Sequence, residues 1–113
     1  MNFNASGVVL TKKCDGSWSE KTIELHNIDD IRRVFHPFEV DVTQVNISRQ
    51  LKLYYSMNFL FEGKCTEAKV KDEKGNRNFL VSPILLLECD TNDVPMVLTE
   101  ESKNKMLSLM ERF

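Results

Sequence analysis

Two-residue alternation is clearest between Leu51 and Glu62, where Leu51, Leu53, Tyr55, Met57, Phe59 and Phe61 interleave with Lys52, Tyr54, Ser56, Asn58, Leu60 and Glu62. Successive strand side chains point to opposite faces, so this period predicts a half-buried, antiparallel strand ended by Gly63. Ile84 to Leu87 is apolar at every position and predicts a strand covered on both faces, entered at Pro83 and left at Cys89. Val8 to Leu10 and Trp18 to Leu25, separated by the turn residues Asp15 and Gly16, predict a hairpin. Val40 and Val42 have the opposite parity to Val45 and Ile47, so a strand from Glu39 needs a bulge or a break near Thr43 or Gln44. Thr66 to Lys71 and Asn78 to Ser82 flank the charged turn Asp72 to Asn76 and predict two more short strands.

The period lengthens to three and four at Ile28, Ile31, Val34 and Phe35, which lays one apolar stripe along a short helix. Asn27 is its N-cap, Asp29 and Asp30 suit the positive end of the helix dipole, and Pro37 stops it after His36. Thr99, Glu100 and Glu101 open a second helix, with Met106, Leu107, Leu109, Met110 and Phe113 as an apolar face running to the last residue. That face predicts docking on the core, with contact to a second copy as the alternative use. The expected architecture is a single α+β domain over residues 1–113: a mostly antiparallel β-sheet with one short internal helix and a C-terminal helix.

Composition narrows the function classes. A chain of 113 residues has the length of one domain. With 42% hydrophobic residues it can bury a core, which excludes a disordered tail. A formal charge of -2 is too small for a polyanion that mimics DNA and has the wrong sign for a surface that tracks phosphates, so nucleic acid is disfavoured as a partner. Cys14, Cys65 and Cys89 form no C-x-x-C pair, and their odd number predicts reduced, mostly buried thiols. No stretch approaches the roughly 20 apolar residues that span a bilayer, so no membrane contact and a cytoplasmic location are expected.

Chemistry-bearing patterns are sparse. His26 and His36 flank the short helix without a cysteine at pairing distance in sequence, and no zinc-ligand spacing occurs. Gly7, Gly16, Gly63 and Gly75 are isolated, which excludes a glycine-rich phosphate loop. No catalytic residue, metal or cofactor is therefore expected, and the chain is not read as an enzyme. Binding remains, with Arg49, Lys52, Tyr54 and Asn58 at the polar side of the alternating strand, and Trp18 as a lone large anchor. Set against this, the plainer reading makes that side an ordinary solvent-facing strand and places Trp18 over the core.

Thr22-Ile-Glu-Leu through the helix to Val40-Asp-Val, the turn Lys71-Asp-Glu-Lys-Gly-Asn-Arg, the strand Ile84 to Leu87, and the ending Leu98-Thr-Glu-Glu-Ser with Met110-Glu-Arg-Phe carry a resemblance. Over residues 20–113 the chain is similar to a family of small uncharacterised proteins carried by bacteriophages, plasmids and conjugative elements. It departs from that family's pattern at Ser82-Pro83, where a glycine commonly precedes the last strand, and it lacks the Leu-Pro-x-Asn-Arg element. The resemblance implies a mobile-element context and brings no catalytic residues. The expected function is then a non-enzymatic interaction protein that binds and modulates a host or defence-system protein in the bacterial cytoplasm. The alternative is a sponge-like binder of a small ligand or nucleotide derivative, with its pocket at a homodimer interface.

Overall fold

The computed structural model describes residues 2–61 and 65–113, with the side chains of all but Leu60 and Phe61. The expected strand end at Glu62 and Gly63 lies outside the described residues.

Strands β1 (Ala5–Lys12) and β2 (Trp18–Leu25) form the first hairpin. Asp15 Oδ1 accepts from both the backbone N–H and the hydroxyl of Ser17, and Gly16 supplies the φ of 88° that closes the turn. Helix α1 (Ile28–Arg33) follows, its N-terminus capped by Asn27 Oδ1, which accepts from the Asp30 N–H at 3.0 Å. A 3-10 turn (Glu39–Asp41) leads into β3 (Val42–Asn46) and β4 (Leu51–Ser56), and a single helical turn, α2 (Asn58–Phe61), follows β4. The remaining elements are β5 (Ala68–Lys71), β6 (Arg77–Leu80), β7 (Ile84–Cys89), β8 (Pro95–Met96), α3 (Glu100–Leu109) and β9 (Met110–Arg112).

The strands make two sheets, one in the order β2-β1-β7-β4-β3 with β8 attached to β7, the other β6-β5-β9. Among the described residues every ladder is antiparallel, beside one isolated parallel bridge between Ser6 and Val97. The α+β architecture is thus as expected, and the all-apolar strand β7 lies in the middle of the larger sheet. Its side chains alternate between two cores. Ile84 and Leu86 join Val8, Leu10, Leu53 and Tyr55 beneath the smaller sheet and Met106 of α3. Leu85 and Leu87 face the other way, toward Leu25 and the Ile31 and Phe35 side chains. A strand covered on both faces needs apolar residues at both parities, which is why this segment shows no alternation.

Four expectations are corrected. The alternating strand stops at Ser56: β3 begins opposite it at Val42, so beyond this pair there is no ladder to continue. The chain turns into α2 instead, and Phe59 packs edge-on against Phe38 with ring centroids 4.9 Å apart. The second helix ends at Leu109, and Met110 to Arg112 pair with β5 as an edge strand. Met106 and Met110 are buried, while Leu109 and Phe113 stay exposed, so the apolar stripe is divided between two elements. Cys14 and Cys65 are exposed and only Cys89 is buried. The bulge or break expected near Thr43 or Gln44 is absent there: β3 runs unbroken from Val42 through both residues, Val42 and Val45 differ in parity because they face the two different cores, and only Val40 lies outside the strand, 94% exposed in the 3-10 turn.

Candidate functional site

Helix α1 has six residues, so it is only about 9 Å long and about 10 Å across. The larger sheet runs through five strands in its main path and is about 19 Å wide. One short helix cannot cover such a face. Ile31 and Phe35 cover the Leu25, Leu85 and Leu87 side, and an open groove remains between α1 and the β3–β4 side of the sheet.

The groove consists of two adjoining hollows of about 500 and about 310 Å³ that share Ile28, Ile31, Gln44 and Tyr54. Arg32, Glu39, Val40 and Val42 complete the first, while Lys52, Cys89 and Asp93 lie in the second. Tyr54 forms the floor between them. Its hydroxyl donates to Gln44 Oε1 at 2.9 Å, and the Gln44 amide donates to Asn46 Oδ1 at 2.7 Å. This chain of bonds ties the phenol to the neighbouring strand, where Gln44 is opposite Tyr54. Burial pushes the Tyr54 phenol up to about 12, with the negative charges of ionised Cys89 and of the Asp93 carboxylate adding to the shift. Burial likewise raises the Cys89 thiol above its ordinary value, against the nearby Lys52 ammonium, which lowers it. Neither group is primed as a nucleophile or general base at neutral pH.

The sequence-derived candidates separate here. Lys52 and Tyr54 come together in the groove. Arg49 is exposed in the turn between β3 and β4, and Asn58 begins α2; neither lines the groove. Trp18 packs against the main core at the start of β2. Its indole N–H donates to the Phe113 carbonyl at 3.3 Å, and the Arg112 guanidinium lies 5.9 Å from its ring centroid. Trp18 therefore joins the hairpin to the C-terminal strand. The side of β4 expected to face solvent is largely covered: Lys52 and Ser56 are buried and Tyr54 is half-buried. Ser56 is satisfied by donating to the Phe38 carbonyl at 3.1 Å. Ile28, Val40 and Gln44 were missed as site residues. The signal that could have found Ile28 is its place at the edge of the α1 stripe, too far round to reach the core.

The two histidines stay apart in role. His36 Nδ1 lies 2.6 Å from Glu39 Oε1, and His26 Nε2 lies 3.7 Å from Glu24. Among the described residues no group of three or more His, Cys, Asp or Glu side chains could hold a metal ion. No described helix is long and apolar enough to cross a membrane. A separate, smaller hollow of about 280 Å³ lies on the smaller sheet between Lys69, Lys71, Arg77 and Leu109, where Lys69 is already paired with Glu111 at 3.3 Å.

Burial of Tyr54 gives a pH dependence whose sign is fixed. The folded-state pKa is raised from 10.0 to about 12, so this contribution to stability is fully present below pH 10 and is lost as the pH rises toward 12. Tyr55 is shifted in the same direction by burial. In an alkaline titration, the near-ultraviolet phenolate signal is expected to rise in one cooperative step together with loss of the circular dichroism of the fold. Gradual phenolate formation around pH 10 with the fold intact would contradict it.

No protein-family model, curated protein or solved structure matches the chain.

Proposed function

We propose that the chain is a non-enzymatic interaction protein that binds a protein partner through the groove between α1 and the β3–β4 side of the larger sheet. The open groove is the observation that carries this reading. Small-molecule sites enclose most of their ligand. This one is open along its length and is rimmed by apolar side chains that fold stability does not require: Val40 is 94% and Ile28 51% exposed. Apolar groups around a half-buried tyrosine are the composition of an interface centre. The resemblance to mobile-element proteins supports a host or defence-system protein as the partner, and the modulation of that protein as the role.

The test uses the tagged full chain and a bacterial lysate, with Ile28→Asp and Val40→Asp as groove variants and Lys71→Glu as a control on the smaller sheet. Ile28 opens α1, where an acidic residue suits the helix dipole, so this variant should keep its fold. A protein recovered in stoichiometric amount by the wild type and the control should fall about ten-fold with either groove variant, the loss of about 1.4 kcal/mol at an interface anchor. Equal recovery by all four proteins would overturn the groove as the contact surface. A released small molecule with no protein would favour the ligand-binding alternative.

A further inference from the structure

Strand β2 is one edge of the larger sheet, and β3, beside the groove, is the other. The Lys13 N–H donates to the Ser17 carbonyl at 2.7 Å, which fixes the alternation of bonds along the hairpin. Ser19, Lys21 and Ile23 therefore direct their backbone groups to β1, while Glu20, Thr22 and Glu24 direct theirs away from it. Among the described residues the backbone N–H and C=O of Glu20, Thr22 and Glu24 meet no hydrogen-bond partner. Glu20, Lys21, Thr22 and Glu24 are exposed, so the edge is open to solvent. Sheet edges are ordinarily blunted by proline, a bulge, shortness or a covering loop. Such cover protects one end of β3, where the Asn46 carbonyl accepts from the Glu73 N–H at 2.8 Å. Strand β2 has none of these devices: it is eight residues long, contains no proline and pairs with β1 in an unbroken register. Its charges are the remaining guard, and charges select as well as exclude.

Glu20, Thr22 and Glu24 share one face of the strand, and Lys21 and Ile23 share the other. A second copy added antiparallel about Thr22 would set Glu20 of each copy against Glu24 of the other, and a register centred on Lys21 would set the two lysines together; like charges directly opposite destabilise a pair. Centring on Ile23 avoids this but reaches His26, whose N–H is already bonded to Asp30 Oδ2 and whose carbonyl accepts from Phe3. We infer that β2 accepts an added antiparallel strand from a different protein, one that carries basic residues opposite Glu24 and Glu20, an apolar residue opposite Ile23 and a carboxylate opposite Lys21. Backbone bonds to Glu20, Thr22 and Glu24 supply the affinity, and the cross-strand pairs supply the choice of segment. Glu20 already accepts from Lys103 at 3.1 Å, and a carboxylate has room for a second cation. Ile23 is half-buried against Leu25 and its neighbours, so an apolar residue beside it extends an existing core. This edge lies across the sheet from the groove and does not depend on it.

The probe is the end-capped peptide Lys-Val-Thr-Glu-Lys, titrated at millimolar concentration into the isotope-labelled full chain and followed by amide chemical shifts and hydrogen exchange. Two comparison peptides have the same length: one N-methylated at the central threonine, whose N–H faces the Thr22 carbonyl, and one with the charges exchanged, Glu-Val-Thr-Lys-Glu. The probe should move the amides of Glu20, Thr22 and Glu24 downfield saturably and slow their exchange, while those of Lys21 and Ile23, already bonded to β1, change less. N-methylation should weaken binding about ten-fold or more, because it removes a bond and sets a methyl group against the edge. Exchanging the charges should weaken it about ten-fold, since opposite-charge pairs become like-charge pairs. Glu24→Lys, at a side chain that is 86% exposed, should lower affinity for the probe and raise it for the exchanged peptide, with little change in melting temperature. Equal binding of the N-methylated peptide would mean contact without strand addition, and equal binding of the exchanged peptide would remove the charge selection; either overturns the inference, as does the absence of any saturable shift. Shifts of the same amides with protein concentration alone would overturn it in favour of a second copy. If Glu24→Lys did not fold, the three peptides on the wild type would still decide. The lysate comparison of groove variants leaves β2 unchanged, so failure of the edge and failure of the groove are separable.

Discussion

Gly7→Ala is expected to lower the unfolding free energy by about 1–3 kcal/mol, and Gly7→Val by more, because the added carbon has nowhere to go. Gly7 lies in β1, paired with Ile23 of β2 on one side and adjacent to β7 on the other. A Cβ built there would stand 2.7 Å from the Leu86 carbonyl oxygen and 2.9 Å from Leu85 Cδ1. The leucine methyl can rotate aside, but the carbonyl belongs to the backbone of the central strand. The β1–β7 ladder must therefore open by several tenths of an ångström over residues that make both cores. Alanine gains about 0.4–1 kcal/mol by restricting the unfolded chain, which is less than the overpacking cost. Thermal unfolding should show a midpoint lowered by about 4 °C for each kcal/mol. A Gly7→Ala protein as stable as the wild type would mean that β1 and β7 do not approach this closely.

The same residue shows where the chain could be read and where it could not. Val8 to Leu10 announce a strand by composition, yet β1 starts at Ala5, through three residues with little β preference. Their smallness is a tertiary requirement, visible only once β7 is placed beside them. The helix α1, its cap and the position of β7 were all legible, since each depends on local period or on a capping side chain. The extent of β4 was not, because strand length is set by the partner, and β3 offers pairing only as far as Ser56. The end of α3 was misread for a related reason: Met110 satisfies a helical stripe and an inward strand position equally well, and pairing with Val70 of β5 decides between them.

The candidate site divides along the same line. Lys52 and Tyr54 could be singled out because they alternate with core residues, but alternation says only that they share a face. That this face is half-covered follows from the six-residue length of α1, and Pro37 hints at that limit. The depth of Lys52 comes from strands on both flanks of β4, a neighbour relation between residues far apart in the chain. Trp18, half-buried, packs against the core, and its link to Phe113 follows from the strand that replaces the end of the helix.

Phe35→Ala should be the most damaging change to the groove, costing about 3–5 kcal/mol as a large aromatic truncated in a closed core. Phe35 is fully buried in the turn after α1, where its N–H bonds the Arg32 carbonyl and its own carbonyl accepts from Phe38. Helix α1 is too short to be stable by itself; its attachment rests on Ile31 and Phe35 packed against Leu25, Leu85 and Leu87. Removing the larger of these two anchors leaves a cavity under the helix and frees the wall that carries Ile28 and Arg32. The effect on binding should therefore exceed that of Ile28→Asp, which alters the rim and leaves the wall in place. Denaturant unfolding of Phe35→Ala should show a lower midpoint, and amide hydrogen exchange of residues 28–35 should speed up more than that of β7. A midpoint close to the wild type, with α1 still protected, would show that the wall is held by contacts other than Phe35, and the open groove would then be a rigid feature of the sheet itself.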